Sequence, residues 1–261
     1  MAAGGTVAIL DRPQSGDGNE FAPRFASDFS ILACLGLTHH RLSIEWARIE
    51  PREGQRDAAA IEHSRAVPSA ACDAGLSSWV CVHHFTLPVW FIKIGKDGFH
   101  DDHARSCYWA RHAAFCAATF GDLIGFSYYS AHAVIRDLTF APYPTGERVG
   151  PGGYVPWSEG LAFVLHRLAD ELPGRPLLVC EHGVGTDDDG WGREIRASSL
   201  GHVAHALADG IDVRGFFHWT AVDNYEWQHG FSILFGILDR DRTPRGLAEL
   251  LAGYARPKRR K

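Results

Sequence analysis

Short β-prone runs alternate with helix-patterned segments along almost the whole chain, and this alternation constrains the fold more than any single residue does. Residues 6–10, 39–46, 77–85, 123–129, 177–180 and 213–218 read as strands. Helical spacing begins at Ser27-Asp28 and fills 58–74, 101–120, 158–171 and 194–209. Gly36, Gly75, Gly121, Pro173-Gly174 and Gly210 stand where those helices should stop, and Pro68 should kink the second of them. Strands joined through helices pair in parallel, because a parallel crossover needs a dozen or more residues. With 46% hydrophobic residues in 261, the chain can bury one sizeable core, so a single α/β domain over 1–261 is expected.

Several function classes are disfavoured. A net charge of −5 gives no general attraction to nucleic acid or to a membrane surface. Residues 1–10 lack a basic start and a long apolar core, and no later run is apolar for about 18 residues, so a cytoplasmic protein is expected. Six cysteines, at 34, 72, 81, 107, 116 and 180, form no CxxC pair and are expected as buried thiols. His202 and His205 lie on one helix face without a further ligand, and Asp187, Asp188 and Asp189 do not have calcium-loop spacing, so no metal or cofactor is expected. The basic end at 256–261 reads as a solvated tail.

Two stretches carry chemistry. Leu177, Leu178, Val179 and Cys180 read as a buried strand, and Glu181 stands where it runs into a Gly- and Asp-rich loop at 183–190. A carboxylate at the C-terminal end of a buried strand is where a barrel enzyme places a nucleophile. The plain alternative is a group that caps the strand and bonds loop amides. Downstream, residues 215–227 form a second strand that ends in Trp219, Asp223, Tyr225, Glu226 and Trp227, the composition of a sugar-binding cleft.

Taken in order, residues 41–51, 83–88, 126–129, 180–183 and 208–227 resemble the retaining β-glycosidases of glycoside hydrolase family 1, the β-glucosidase group. The resemblance covers roughly 24–255 and implies an α/β fold derived from the (β/α)8 TIM barrel. It implies that Glu181 is the nucleophile, with Arg41 and Tyr129 keeping it ionised and aimed. His84 and Trp227 would donate to sugar hydroxyls, Glu226 would accept from two of them, and Trp219 would be the platform under the sugar. Each also has a structural reading: Arg41 as an ion-pair partner, His84 as a core histidine, the tryptophans as filler. The implied partner is a small β-glycoside or monosaccharide, with no cofactor.

The departures from the family pattern are equally specific. Retaining hydrolysis uses two carboxylates about 5–5.5 Å apart. The family's acid/base is the Glu of an Asn-Glu-Pro triplet, and no such triplet occurs in this chain. Residues 120–123 run almost directly into 126–129, a segment that belongs much later in the family, which implies an internal truncation and an incomplete barrel with fewer strands. Strand number, tilt and shear are linked, so a barrel that loses strands exposes edges, and open edges favour pairing between copies of the chain. His182 stands where the family has Asn after the nucleophile, and Ser127 replaces Asn before the tyrosine pair. Glu45, Glu159 and Asp187 to Asp189 have the chemistry of a substitute acid, but nothing in the sequence places them opposite Glu181.

Overall fold

The computed structural model describes residues 15–81, 84, 88, 90, 123–133, 140–227 and 229–255. The strand expected at 6–10, the helix at 101–120, the tail at 256–261 and most of 82–85 lie outside the described residues. The chain divides into two compact units, Met1–Thr119 with Ala252–Lys261, and Phe120–Leu251.

In the first unit, α1 (Phe21–Cys34) leads to β1 (His39–Ser43), a short α2 (Trp46–Ile49), α3 (Ala58–Asp73) and β2 (Ser77–Cys81). α1 begins six residues earlier than the Ser27 start expected from the pattern. Asn19 Oδ1 accepts from the Phe21 N–H at 3.2 Å, and Pro23 falls in the first turn, where a missing N–H costs nothing. α3 is capped as a helix should be: Asp57 accepts from the Ala60 N–H at 2.9 Å, and Gly75, at φ 84°, takes the left-handed conformation that ends it. Pro68 lies inside this helix without ending it. β1 and β2 pair in parallel, His39 with Ser77 through Ser43 with Cys81. Phe29, Leu32, Val67, Ala71 and Leu76 are buried, at the spacing that gives each helix one apolar face.

The second unit carries the longer sheet. β3 (Ile124–Ser127), α4 (Ser158–Glu171), β4 (Leu177–His182), α5 (Asp189–Ala208) and β5 (Val213–His218) follow in order, and α6 (Gly246–Ala255) ends the described chain. The sheet order is β3-β4-β5 with both pairings parallel, and the adjacency of consecutive strands follows from the crossovers through α4 and α5. Leu161 and Leu165 of α4 and Val203 and Ala206 of α5 close on Leu177, Val179 and Val213, with Tyr128 at one end. The spacings 161/165 and 199/203/206 are helical, while 177/179 is the period of a strand, so both patterns agree on one core.

The parallel α/β character is thus as expected, with five strands in two sheets among the described residues. The expected burial of the cysteines is not: Cys34 and Cys72 are exposed, and Cys81 and Cys180 are half-buried. Cys34 and Cys72 close the last turns of α1 and α3, where a helix leaves its packed face.

Leu177→Ala is expected to destabilise the second unit by about 2–5 kcal/mol, because Leu177 is fully enclosed by helices on one side and flanking strands on both edges. Urea unfolding followed by near-ultraviolet circular dichroism measures it. A loss below about 1 kcal/mol would mean that this layer is not the core of the unit.

Candidate active site

Glu181 reaches its position through an irregularity in β4. Val179 pairs with Phe126, but Glu181, not Cys180, pairs with Ser127, so Cys180 is an extra residue in the strand. The same extra residue shows on the β5 side, where Val179 pairs with Phe216 and His182 with His218. Strand side chains alternate with a strict period of two, and Leu177 and Val179 point at the helices; an unbroken strand would send Glu181 the same way. The bulge inverts the alternation. His182 therefore takes the helix-facing side, where its ring meets Ser199 of α5, and Glu181 takes the opposite face. Gly125 of β3 supplies the room, since a Cβ there would press on the Cys180 sulfur.

The Tyr128–Tyr129 pair after β3 divides between the same two faces. Tyr128 donates its hydroxyl to the Trp157 carbonyl at 2.8 Å on the helix side. Tyr129 donates to Glu181 Oε2 at 2.9 Å, and the Tyr128 N–H extends the ladder to the Glu181 carbonyl at 3.0 Å. Glu181 is 8% exposed, so this carboxylate is held in a largely desolvated position with a phenol on one oxygen. Burial, then the Glu181 charge and the hydrogen bond to it, push the Tyr129 phenol far above its ordinary range, so it remains a proton-bearing donor. Tyr154 lies 6.5 Å from Tyr129, ring to ring, and burial followed by the Glu226 charge pushes it up in the same direction.

Immediately past β5, the Trp219 N–H is bonded to the His182 carbonyl at 3.0 Å, and the peptide joining Trp219 to Thr220 is cis. Gly183 lies against this segment: a Cβ there would collide with the Trp219 carbonyl, so only glycine allows the approach. The Trp219 indole N–H donates to Glu226 Oε1 at 3.0 Å. A tight turn holds Glu226 itself, through Glu226 N–H to Gly230 carbonyl at 2.7 Å and the reverse bond at 3.0 Å. Behind the loop, Asp223 is buried and accepts from the Gly236 N–H at 2.7 Å and from Arg245 at 2.5 Å. Desolvation raises the Asp223 carboxyl, and those two partners oppose the rise.

Five of the expected site residues belong to the second unit. Glu181 and Tyr129 are joined by a hydrogen bond, as are Trp219 and Glu226, while Trp227 is 61% exposed at the end of the same loop. Arg41 and His84 lie in the first unit, Arg41 on β1 opposite Trp79 of β2 and His84 beyond β2. The acidic triplet expected in a loop instead starts α5: Asp188 accepts from the Trp191 N–H at 3.0 Å and from Arg148 at 2.9 Å, and Asp189 accepts from the Gly246 N–H. Glu159 is exposed in the first turn of α4 and Glu45 precedes α2; these are helix-start positions, where a carboxylate complements the dipole. Among the described residues no group of three or more His, Cys, Asp or Glu could hold a metal, and no helix is long and apolar enough to cross a membrane. Tyr154 and the Arg196–His218 pair escaped the sequence reading; only Gly183 hinted at the close approach beside Arg196.

The chain matches the family model described as Glycosyl hydrolase family 1 over residues 9–154 and 150–248. It is 34% identical over 138 residues to a β-galactosidase of Sulfolobus acidocaldarius, a match that covers 46% of this chain and 27% of that protein. With β-glucosidase A of Thermotoga maritima the identity is 30% over 147 residues, covering 51% of this chain and 33% of that one. The chain thus spans about a third or less of the length of these relatives. Among solved structures, the β-glycosidase BGL167 superposes with a TM-score of 0.84 at 23% identity, covering 97% of this chain and 91% of the other. A Thermotoga maritima β-glucosidase in complex with glucoimidazole superposes with a TM-score of 0.80 at 16% identity, over 95% and 90%. These likenesses establish the fold as α/β of the (β/α)8 TIM-barrel type with fewer strands described, and the family model, matched across most of the sequence, establishes the lineage: the chain belongs to glycosyl hydrolase family 1.

Proposed function

We propose that this chain is a β-glucosidase-like retaining glycosidase whose nucleophile is Glu181 and whose activity is weakened by the loss of the usual proton donor. The observation that carries this reading is the 2.9 Å bond from Tyr129 to a Glu181 carboxylate turned by a bulge onto the face away from the helices. In the first step a Glu181 oxygen attacks the anomeric carbon, the bond to the leaving group breaks, and the leaving group departs with the electron pair. Water then attacks the anomeric carbon, the bond to Glu181 breaks with its electron pair returning to the carboxylate, and the water's proton passes to the solvent. Tyr129 orients the carboxylate; Trp219 carries the apolar face of the sugar; Glu226 and Trp227 bind its hydroxyls; Arg41 and His84 take the nucleophile-supporting and hydroxyl-binding roles that the family resemblance implies for them. The substrate is a small β-glycoside. The relatives are β-galactosidases and β-glucosidases, which differ in one hydroxyl orientation, and a glycone of this class fits both.

The absence of Asn-Glu-Pro favours a second reading, a sugar-binding remnant that uses Trp219, Glu226, Trp227 and His84 without turnover. Intact-mass measurement after incubation with an activated deoxyfluoro-β-glucoside separates the two, because that reagent forms a long-lived glycosyl-enzyme and asks little of a general acid. Wild-type protein should gain one sugar mass and Glu181→Gln none. A folded wild type that gains no mass, yet binds glucose, would leave the remnant as the function.

A further inference from the structure

Arg196 is buried, at 1% exposure, in the middle of α5, and among the described residues its guanidinium has no carboxylate in ion-pair contact. A buried cation without a carboxylate costs several kcal/mol, and an apolar side chain of the same shape would fill the space at lower cost. Core filling therefore does not account for it, and its directed bonds do. Nε donates to His218 Nδ1 at 2.9 Å, one guanidinium nitrogen to the Gly192 carbonyl at 3.1 Å, and the other to the Val184 carbonyl at 3.1 Å. An imidazole that accepts at Nδ1 carries its proton at Nε2, and the His218 Nε2–H donates to the Phe235 carbonyl at 2.9 Å.

These partners are the neighbours of the site. Val184 is three residues past Glu181, and His218 is the residue before Trp219, whose indole holds Glu226. Gly183 sits in between, with the Trp219 carbonyl and an Arg196 nitrogen both crowding the place where its Cβ would be. We propose that Arg196 is a positioning residue that sets the separation between the segment carrying Glu181 and the segment carrying Trp219 and Glu226, by bonding the Val184 carbonyl on one side and the His218 ring on the other. The geometry requires a planar fork that donates in several directions at once, which lysine cannot supply. Beside the guanidinium lies a cavity of about 10 Å³, lined also by Thr186, Asp189, Phe235 and Arg245 and large enough for one water, so Arg196→Ala would open a continuous space of guanidinium size.

The test is chemical rescue. This inference rests on the reading of Glu181 as nucleophile for only one of its two readouts. The first is the Trp219 indole N–H resonance, assigned with Trp219→Phe, which reports the bond to Glu226 whether or not the protein is an enzyme. The second is the rate of labelling by the activated deoxyfluoro-β-glucoside. In Arg196→Ala the indole signal should leave its wild-type position and labelling should slow by about 10–100-fold. Guanidinium at non-denaturing concentration should restore both, and methylammonium neither. An indole signal that stays in place in Arg196→Ala, or moves and does not return with guanidinium, overturns the proposal. If wild type is never labelled, the nucleophile reading fails and the indole signal alone decides. Should Arg196→Ala not fold, His218→Asn and His218→Gln decide: Asn keeps an acceptor near Nδ1 and should hold the wild-type indole signal, while Gln should lose it. Equal or reversed behaviour overturns the proposal.

Discussion

Replacing a dinitrophenyl leaving group by a simple alkyl alcohol should slow the first step on this protein by about 10²–10⁴-fold beyond the loss seen in a glycosidase that has a proton donor. A general acid shields its enzyme from leaving-group basicity, because the departing oxygen never has to carry a full negative charge. In this chain the Asn-Glu-Pro triplet is absent, and the surviving acidic candidates start helices: Glu159 accepts from Ser158, Asp188 from Trp191 and Arg148, and Asp189 from Gly246. Tyr129 is no substitute. Its phenol is already bonded to Glu181 and is pushed further from acidity by burial and by that charge. On the proposed reading the departing group must therefore be stable as an anion by itself, and the expected substrate range narrows to acidic phenols and comparable groups. The measurement is the rate of glycosylation against the acidity of a series of phenols, with Glu181→Gln as the inactive control. A steep dependence is the expected result. A flat one would show that some other group supplies the proton, and the search would turn to the segments outside the described residues.

The order of strands and helices was legible because it rests on local periodicity: helices read at 58–74 and 158–171 appear as Ala58–Asp73 and Ser158–Glu171, and the strand read at 213–218 as Val213–His218. What local pattern could not reveal was how a strand meets its neighbours. Glu181 read as a residue past the end of a strand, whereas it lies inside β4, turned by the extra residue Cys180. A bulge is a property of pairing, and its one trace in the text is Gly125 on the neighbouring strand. The start of α5 was hidden for a different reason. Gly190 read as the end of a loop and Gly192 fell before the helix expected from 194, but Asp188 caps the helix across them and tertiary packing of Ser199, Val203 and Ala206 outweighs their poor propensity. Arg196 and His218 stand 22 residues apart, and no spacing rule joins an arginine on a helix to a histidine at the end of the next strand. The role of Glu226 came from resemblance alone; its bond to Trp219 supplies a physical reason for the pairing.

Acidification should destabilise this protein steeply between about pH 6.5 and pH 4, and buried histidines, His182 among them, are the reason. The His182 ring is 1% exposed, in the position where the family pattern has Asn. The Tyr128 carbonyl, 2.7 Å from Nδ1, can only accept, so Nδ1 carries a proton, and Nε2 lies 2.6 Å from the Ser199 hydroxyl. Desolvation by burial, opposed by the Tyr128 bond and aided by the Arg196 charge, lowers the imidazole from 6.5 to about 4. Between those values the unfolded chain binds a proton that the folded one refuses, so stability present above about pH 6.5 is lost as pH falls and is fully spent below about pH 4. The difference amounts to about 3 kcal/mol from this one residue. His40, lowered to about 4 by burial in the first unit, and His218, lowered by burial and the Arg196 charge, act in the same direction. At roughly 2–4 °C per kcal/mol, His182 alone should lower the melting temperature by about 10 °C between pH 7 and pH 4. His182→Asn removes the titration and should flatten that part of the profile, whatever it does to the absolute melting temperature. A wild-type profile level across this window, or an Asn variant as steep as wild type, would mean that the buried imidazole is already charged in the folded protein.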